Sequence, residues 1–79
     1  PGLYQKNVNV KDAVEKGYRI YLTHYPESLK TRTHYALFAS KVGDWPVAKE
    51  QLAILNNYWD MVEVDAWAYA ELVEEIAKH

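Results

Sequence analysis

Apolar residues recur along this chain in four stretches with helical spacing, set apart by Pro, Gly and paired Asn. In the first, Val10, Val14, Tyr18, Tyr21 and Tyr25 fall three or four residues apart, and Ala13, Ile20 and Leu22 widen the stripe. Asn9 reads as its N-cap, with Asp12 supplying a variant of the capping box. Pro26 stops it, because proline disfavours helical geometry at Tyr25 and has no N–H to donate. The pattern predicts a helix over about 10–25, after an N-terminal tail at 1–9 whose residues 1–8 show no helical period and read as a tail or as the remnant of a truncated helix. Ser28 caps a second helix over about 29–42, whose main apolar face is Tyr35, Phe38, Ala39 and Val42. Leu37 lies on another side of that helix, and a helix apolar on two sides is usually sandwiched between neighbours.

The stretch KVGDWPVAKEQLAILNN, from Lys41 to Asn57, predicts a tight turn between two packed helices. Gly43 tolerates the left-handed conformation of a helix stop, and Asp44 caps the next helix through its side-chain oxygen. Pro46 falls in the first turn, where no donor is needed. The third helix then runs over about 45–57, with Ala48, Leu52 and Leu55 on one face and Val47 and Ile54 beside it. Ala48 is small enough to let the second and third helices approach closely. Asn56 and Asn57 make a polar exit. Asp60 and Glu63 form another capping pair, which predicts a fourth helix over about 61–78. Its middle, AWAYAELV, is apolar or small almost all round, so it needs burial against something.

Composition narrows the possibilities. The chain has 79 residues, enough for one domain or a piece of a longer array. With no cysteine, disulfides, thiolate metal sites and a cysteine nucleophile are excluded. The net charge of −2 favours neither nucleic acid nor membrane, and no run approaches the roughly 18 apolar residues of a spanning helix. Charge is unevenly spread: residues 1–59 hold eight Lys/Arg and five Asp/Glu, whereas residues 60–79 hold one and six. Two readings fit, a pair of solvated faces or a head-to-tail or partner contact. The N-terminus lacks a signal-like pattern, but a start at Pro1 suggests a processed, tagged or excised piece, so that lack decides nothing and the compartment is unknown, cytoplasmic only by default.

An offset of 34 residues lays Val14 on Ala48, Tyr18 on Leu52, Tyr21 on Leu55 and Pro26 on Asp60. With that period, ALFASKVGDWPVAKEQL resembles the tetratricopeptide repeat family, in a divergent bacterial form. Ala36, Gly43, Asp44, Trp45, Ala48 and Leu52 fill the family's positions, whereas Arg32, Ala39, Leu55 and Asp60 depart from them. The resemblance implies an all-α domain over 10–79, with antiparallel helix hairpins stacked as a short right-handed superhelix of about four helices. It also implies a non-catalytic scaffold or adaptor that binds a protein or peptide, as a fragment of a larger protein. On this chain the groove face would be Lys30, Thr33, Leu37, Ser40 and Lys41. Thr33 and Leu37 do not supply the Lys and Asn with which one subfamily clamps a terminal carboxylate. With Arg32 nearby and no acid between Lys30 and Val42, that face suits an acidic ligand segment, or is balanced by the acidic fourth helix. The alternatives are a self-associating structural cap, in which the basic second helix meets a neighbour's acidic fourth, and an accessory part of a larger enzyme.

Candidate chemistry is sparse. His24 and His34 lie on different predicted helices without a second His nearby, so neither suggests zinc, and each reads as interfacial or surface. Ser40, His34 and Asp44 make a triad only on paper, with no nucleophile elbow. Asp60, Glu63 and Asp65 lack the loop of a calcium site and read as caps. No phosphate cradle is present, and no cofactor or metal is implied. Tyr58, Trp59, Trp67 and Tyr69 are either binding anchors or core between the third and fourth helices. They are interleaved with acids, which argues against nucleic acid.

Overall fold

Among the described residues, 2–79 for the backbone and 10–79 for side chains of this computed structural model, there are four helices and no strand. They are α1 (Gly2–His24), α2 (Leu29–Lys41), α3 (Trp45–Leu55) and α4 (Ala66–Ala77). Helix α1 includes the stretch expected to be a tail, so Asn9 is an interior residue and not a cap. Nothing between Gly2 and Val10 forbids helix, since Asn is only a mild helix disfavourer. Asn9 therefore lacks the interruption a cap needs.

The α2–α3 turn follows the sequence closely. Ser28 Oγ accepts the Thr31 N–H at 3.2 Å and caps α2. At the other end Gly43 adopts φ 77°, its N–H donating to Ser40 O at 3.2 Å, while the Asp44 N–H donates to Ala39 O at 2.8 Å. These two bonds satisfy carbonyls that the helix end would leave bare. Asp44 does not cap α3 through its side chain, contrary to expectation. Its carboxylate turns to Lys11 Nζ, 3.8 Å away on α1. Helix α3 stops at Leu55, because Asn56 and Asn57 take left-handed φ of 48° and 68°.

Helix α4 starts at Ala66 rather than near Met61. Both Asp60 and Asp65 behave as caps, but only the second opens a helix. Asp60 Oδ1 accepts the N–H groups of Val62 and Glu63 at 2.9 and 3.2 Å, closing a single turn. Asp65 Oδ1 accepts the Ala68 N–H at 2.8 Å. Between them Trp59 Nε1 donates to Val64 O at 2.6 Å, and the Trp59 ring lies 3.9 Å from that of Tyr69 at 4°. This stack fixes where α4 begins.

Helix α2 is central. It packs against α1, α3 and α4, whereas among the described residues α1 and α3 flank it without packing on each other. Its apolar residues on two sides are used accordingly: Tyr35, Ala36 and Ala39 are completely buried, and Leu37 packs toward the α4 side. Ala48 is also completely buried, in one cluster with Ala39, Val64, Tyr69, Leu72 and Ile76. Burying each large member of such a cluster stabilises the fold by about 1.5–3 kcal/mol. Across the α1–α2 contact, Tyr18 stacks on Tyr35 with centroids 4.9 Å apart. At the far end the His79 ring lies flat on Trp45, 3.7 Å away.

The inward face of α1 is narrower than the sequence pattern suggests. Val14 and Tyr18 are half-buried and Leu22 is buried, but Val10, Tyr21 and Tyr25 are about half exposed. On α3, Gln51 is buried and Ile54 exposed.

Candidate functional site

The five residues expected to line a groove on α2 do not form an open row. Thr33 is completely buried, and its Oγ1 accepts the Asp60 N–H at 3.0 Å. Leu37 and Ser40 are half-buried, and Leu37 packs on the core cluster beneath α4. Only Lys30 and Lys41 reach solvent. The cause is the segment joining α3 to α4, which crosses this face of α2 and offers its backbone to Thr33. The basic charge is met within the chain as well. Lys30 Nζ lies 3.3 Å from Glu63 Oε1, and His34 Nε2 lies 3.0 Å from Glu63 Oε2. The hydrogen bond from His34, and then that from Lys30, holds the Glu63 carboxyl below the usual range. Lys41 makes no ion pair among the described residues, and beside it a shallow cleft of about 190 Å³ touches Tyr18, Leu37 and Phe38. The triad drawn from Ser40, His34 and Asp44 is not assembled, since His34 faces Glu63 and Asp44 faces Lys11.

A wider concavity lies elsewhere, where the C-terminus of α1, the N-terminus of α2 and the C-terminus of α3 converge. Three clefts adjoin there. One of about 360 Å³ is lined by Tyr21, His24, Tyr25 and the turn 26–28. It shares that turn with a second, of about 480 Å³, which adds Leu29, Arg32, Ile54, Asn56 and Tyr58. The third, also about 360 Å³, shares Arg32 and Ile54 and extends between α1 and α3 to Arg19, Tyr35 and Glu50.

Local structure explains the groove. Pro26 ends α1 so that Tyr25 leaves the helix pointing outward, and Tyr21, four residues earlier, packs on it with centroids 4.9 Å apart. Arg32 forms the floor. Its Nη1 donates to Gln51 Oε1 at 2.8 Å and its Nη2 to Pro26 O at 3.0 Å, tying α2 to α3 and to the turn after α1. Tyr25 is 59% exposed, Ile54 53% and Tyr58 71%. Large apolar side chains so exposed and so close together suit a binding surface. The charges of the groove cancel: Arg19 and Arg32 stand against Glu27 and Glu50.

Beside the groove, Tyr35 has its hydroxyl buried without a hydrogen-bond partner among the described residues, and burial raises its pKa. Glu15, on the same side of α2, is also held above its usual range, first by burial and then by the Asp44 carboxylate next to it. Among the described residues no group of three or more His, Asp or Glu is arranged to hold a metal ion. Among the described residues no helix is long and apolar enough to cross a membrane. Of the four clustered aromatics, Trp59 and Tyr69 are core, whereas Tyr58 and Trp67 are 71% and 79% exposed.

The sequence pattern set Tyr21 and Tyr25 in one apolar stripe with Val14 and Tyr18, and so hid the groove. The signal was Leu22, which continues the Val14–Tyr18 spacing and turns both tyrosines outward. The Arg32–Gln51 pair left no comparable trace, because it joins polar residues 19 apart in sequence and on different helices. Comparison with family models, curated proteins and solved structures finds no match to this chain.

Proposed function

We propose that this chain is a helical docking module, without catalysis of its own, that holds an apolar or aromatic protein segment in the Tyr21–Tyr25–Leu29–Ile54–Tyr58 groove. The observation that carries the reading is the continuity of the clefts: three concavities share residues and are rimmed by exposed aromatic and aliphatic side chains. The groove brings no net charge, so its segment is selected by apolar anchors rather than by acidity. This replaces the basic α2 face as the binding surface, since Thr33 is enclosed and Lys30 is engaged with Glu63. The tetratricopeptide-like arrangement belongs to the same proposal. An α2–α3 hairpin with α1 on one side and α4 on the other supports a stacked, repeat-like order of helices.

Selection from a randomised peptide library displayed on phage tests this, followed by titration of the enriched peptides. The expected result is enrichment of aliphatic and aromatic residues, with affinity nearly independent of salt. Tyr25→Ser and Tyr58→Ser should each weaken binding about tenfold, or about 1.4 kcal/mol. No enrichment, or enriched peptides indifferent to both substitutions, would overturn the assignment.

A further inference from the structure

Asp44 stands where it could serve two helices, and it serves only one. It holds the N-cap position of α3, yet its side chain accepts no hydrogen bond from that helix. Pro46 has no N–H, so the Val47 N–H is the donor that such a cap would satisfy. The Asp44 carboxylate turns to α1, where Lys11 Nζ is 3.8 Å away and the Glu15 carboxyl meets it in a hydrogen bond. Two carboxyls bond in this way only if one of them carries a proton. Glu15 Oε2 and the Tyr35 hydroxyl are both enclosed beside this contact without a partner among the described residues. Helix α1 has few other holds on the rest of the fold. Among the described residues it packs on α2 alone, through the narrow row of Val14, Tyr18 and Leu22, and it is joined to α2 by the turn that contains Pro26.

Charged and titratable groups face this pair from each neighbouring element. They are Lys11 and Arg19 on α1, Tyr35 on α2 with the Arg19 guanidinium 5.6 Å over its ring, and Glu50 on α3. Lys11 and Arg19 favour an ionised Glu15, but burial and the Asp44 carboxylate outweigh them, so the seated helix holds the Glu15 proton more tightly than a released one. Seating is therefore favoured at low pH and weakens as pH rises through the raised value. We infer that Asp44 is a proton-controlled switch between two helices: with a proton on the Glu15–Asp44 pair it holds α1 against the α2–α3 turn, and when both carboxyls ionise it releases α1 and caps α3 through the Val47 N–H. The released carboxylate regains a partner at a helix N-terminus, where the dipole favours negative charge, so opening exchanges one contact for another. Tyr21 and Tyr25 belong to α1, so the groove wall they form moves with it. The switch itself does not rest on the groove binding anything.

Residue-resolved amide exchange and NMR titration of the full 79-residue chain, from about pH 4 to pH 8, test the inference. Exchange rates are corrected for their intrinsic dependence on pH. Across that interval the protection of residues 14–22 should fall by about threefold or more relative to α2 and α3. The Val47 N–H resonance should shift as a newly bonded amide does, with the same midpoint. Glu15→Gln keeps a donor for Asp44 at a helical site where Gln is well tolerated, but has no proton to lose. In that variant α1 protection should be flat with pH, and Val47 should keep its low-pH resonance. Both proteins retain His24, His34 and His79, so the difference between them isolates Glu15. A wild-type α1 whose protection ignores pH, a Val47 resonance that does not follow it, or a Glu15→Gln chain that titrates like the wild type would each overturn the inference.

Discussion

Ala48→Leu puts the close approach of α2 and α3 to a quantitative test. The residue is completely buried in the cluster that joins Ala39 to Tyr69, Leu72 and Ile76. Leucine adds three carbon atoms there. If a void received them, burial would stabilise the fold by about 0.8 kcal/mol per carbon. None of the four clefts described above reaches Ala48, so the added atoms meet packed neighbours instead. Overpacking of this kind costs about 1–3 kcal/mol. For a domain of this size each kcal/mol lowers the melting temperature by about 4–8 °C. The assay is urea unfolding followed by circular dichroism, with Ala53→Leu as the matched control. Ala53 is exposed on the same helix, and its substitution should change stability by less than about 0.5 kcal/mol. Equal midpoints for Ala48→Leu and wild type would show that no close contact exists at this position.

Gly43→Ala should cost about 1–2 kcal/mol in the same unfolding assay, because φ is 77° there, whereas Gly17→Ala, in mid-helix with open space around it, should gain about 0.5–1 kcal/mol. Thr33→Val preserves shape but removes the acceptor of the Asp60 N–H; a loss of about 1–2 kcal/mol is expected, with faster amide exchange at Asp60. Glu15 is held above its usual range, so the folded state binds its proton more tightly than the unfolded chain, and this contribution is lost as pH rises through the folded value. Glu15→Gln should therefore be more stable than wild type near neutral pH, by a margin that shrinks toward about pH 4 in urea titrations. Glu63 has the opposite sign: its contribution is present at neutral pH and disappears as pH falls through its lowered value, so Glu63→Gln should flatten the acid limb of the stability profile.

The α2–α3 hairpin was legible because its signals are local. Ser28, Gly43 and Pro46 act on the backbone within a few residues, and their effects do not depend on what packs nearby. The start of α4 was ambiguous for a definite reason. Asp60 and Asp65 are equally good caps, and the choice between them rests on the Trp59–Tyr69 stack and the Trp59 bond to Val64, which are tertiary. Thr33 was misplaced on an open face because helical spacing records only where a residue points. Its burial depends on a hydroxyl that serves a backbone N–H from a segment 27 residues away in sequence. The tyrosine rim of the groove was hidden by the breadth of the apolar stripe on α1, which supports two inward faces about equally well. An all-helical architecture with α2 in the middle followed from the pattern, and the surface that remains open did not.

The three indoles of this chain occupy unlike surroundings: Trp45 lies flat against the C-terminal imidazole, Trp59 is clamped over Tyr69, and Trp67 faces water. Each therefore has its own emission and quenching behaviour, and single-tryptophan versions would separate them. The Trp45 signal reports whether the last helix is seated on the one before it. The Trp67 signal responds when something covers the outermost surface. The chain thus carries intrinsic optical probes at both places, with no need for an attached dye.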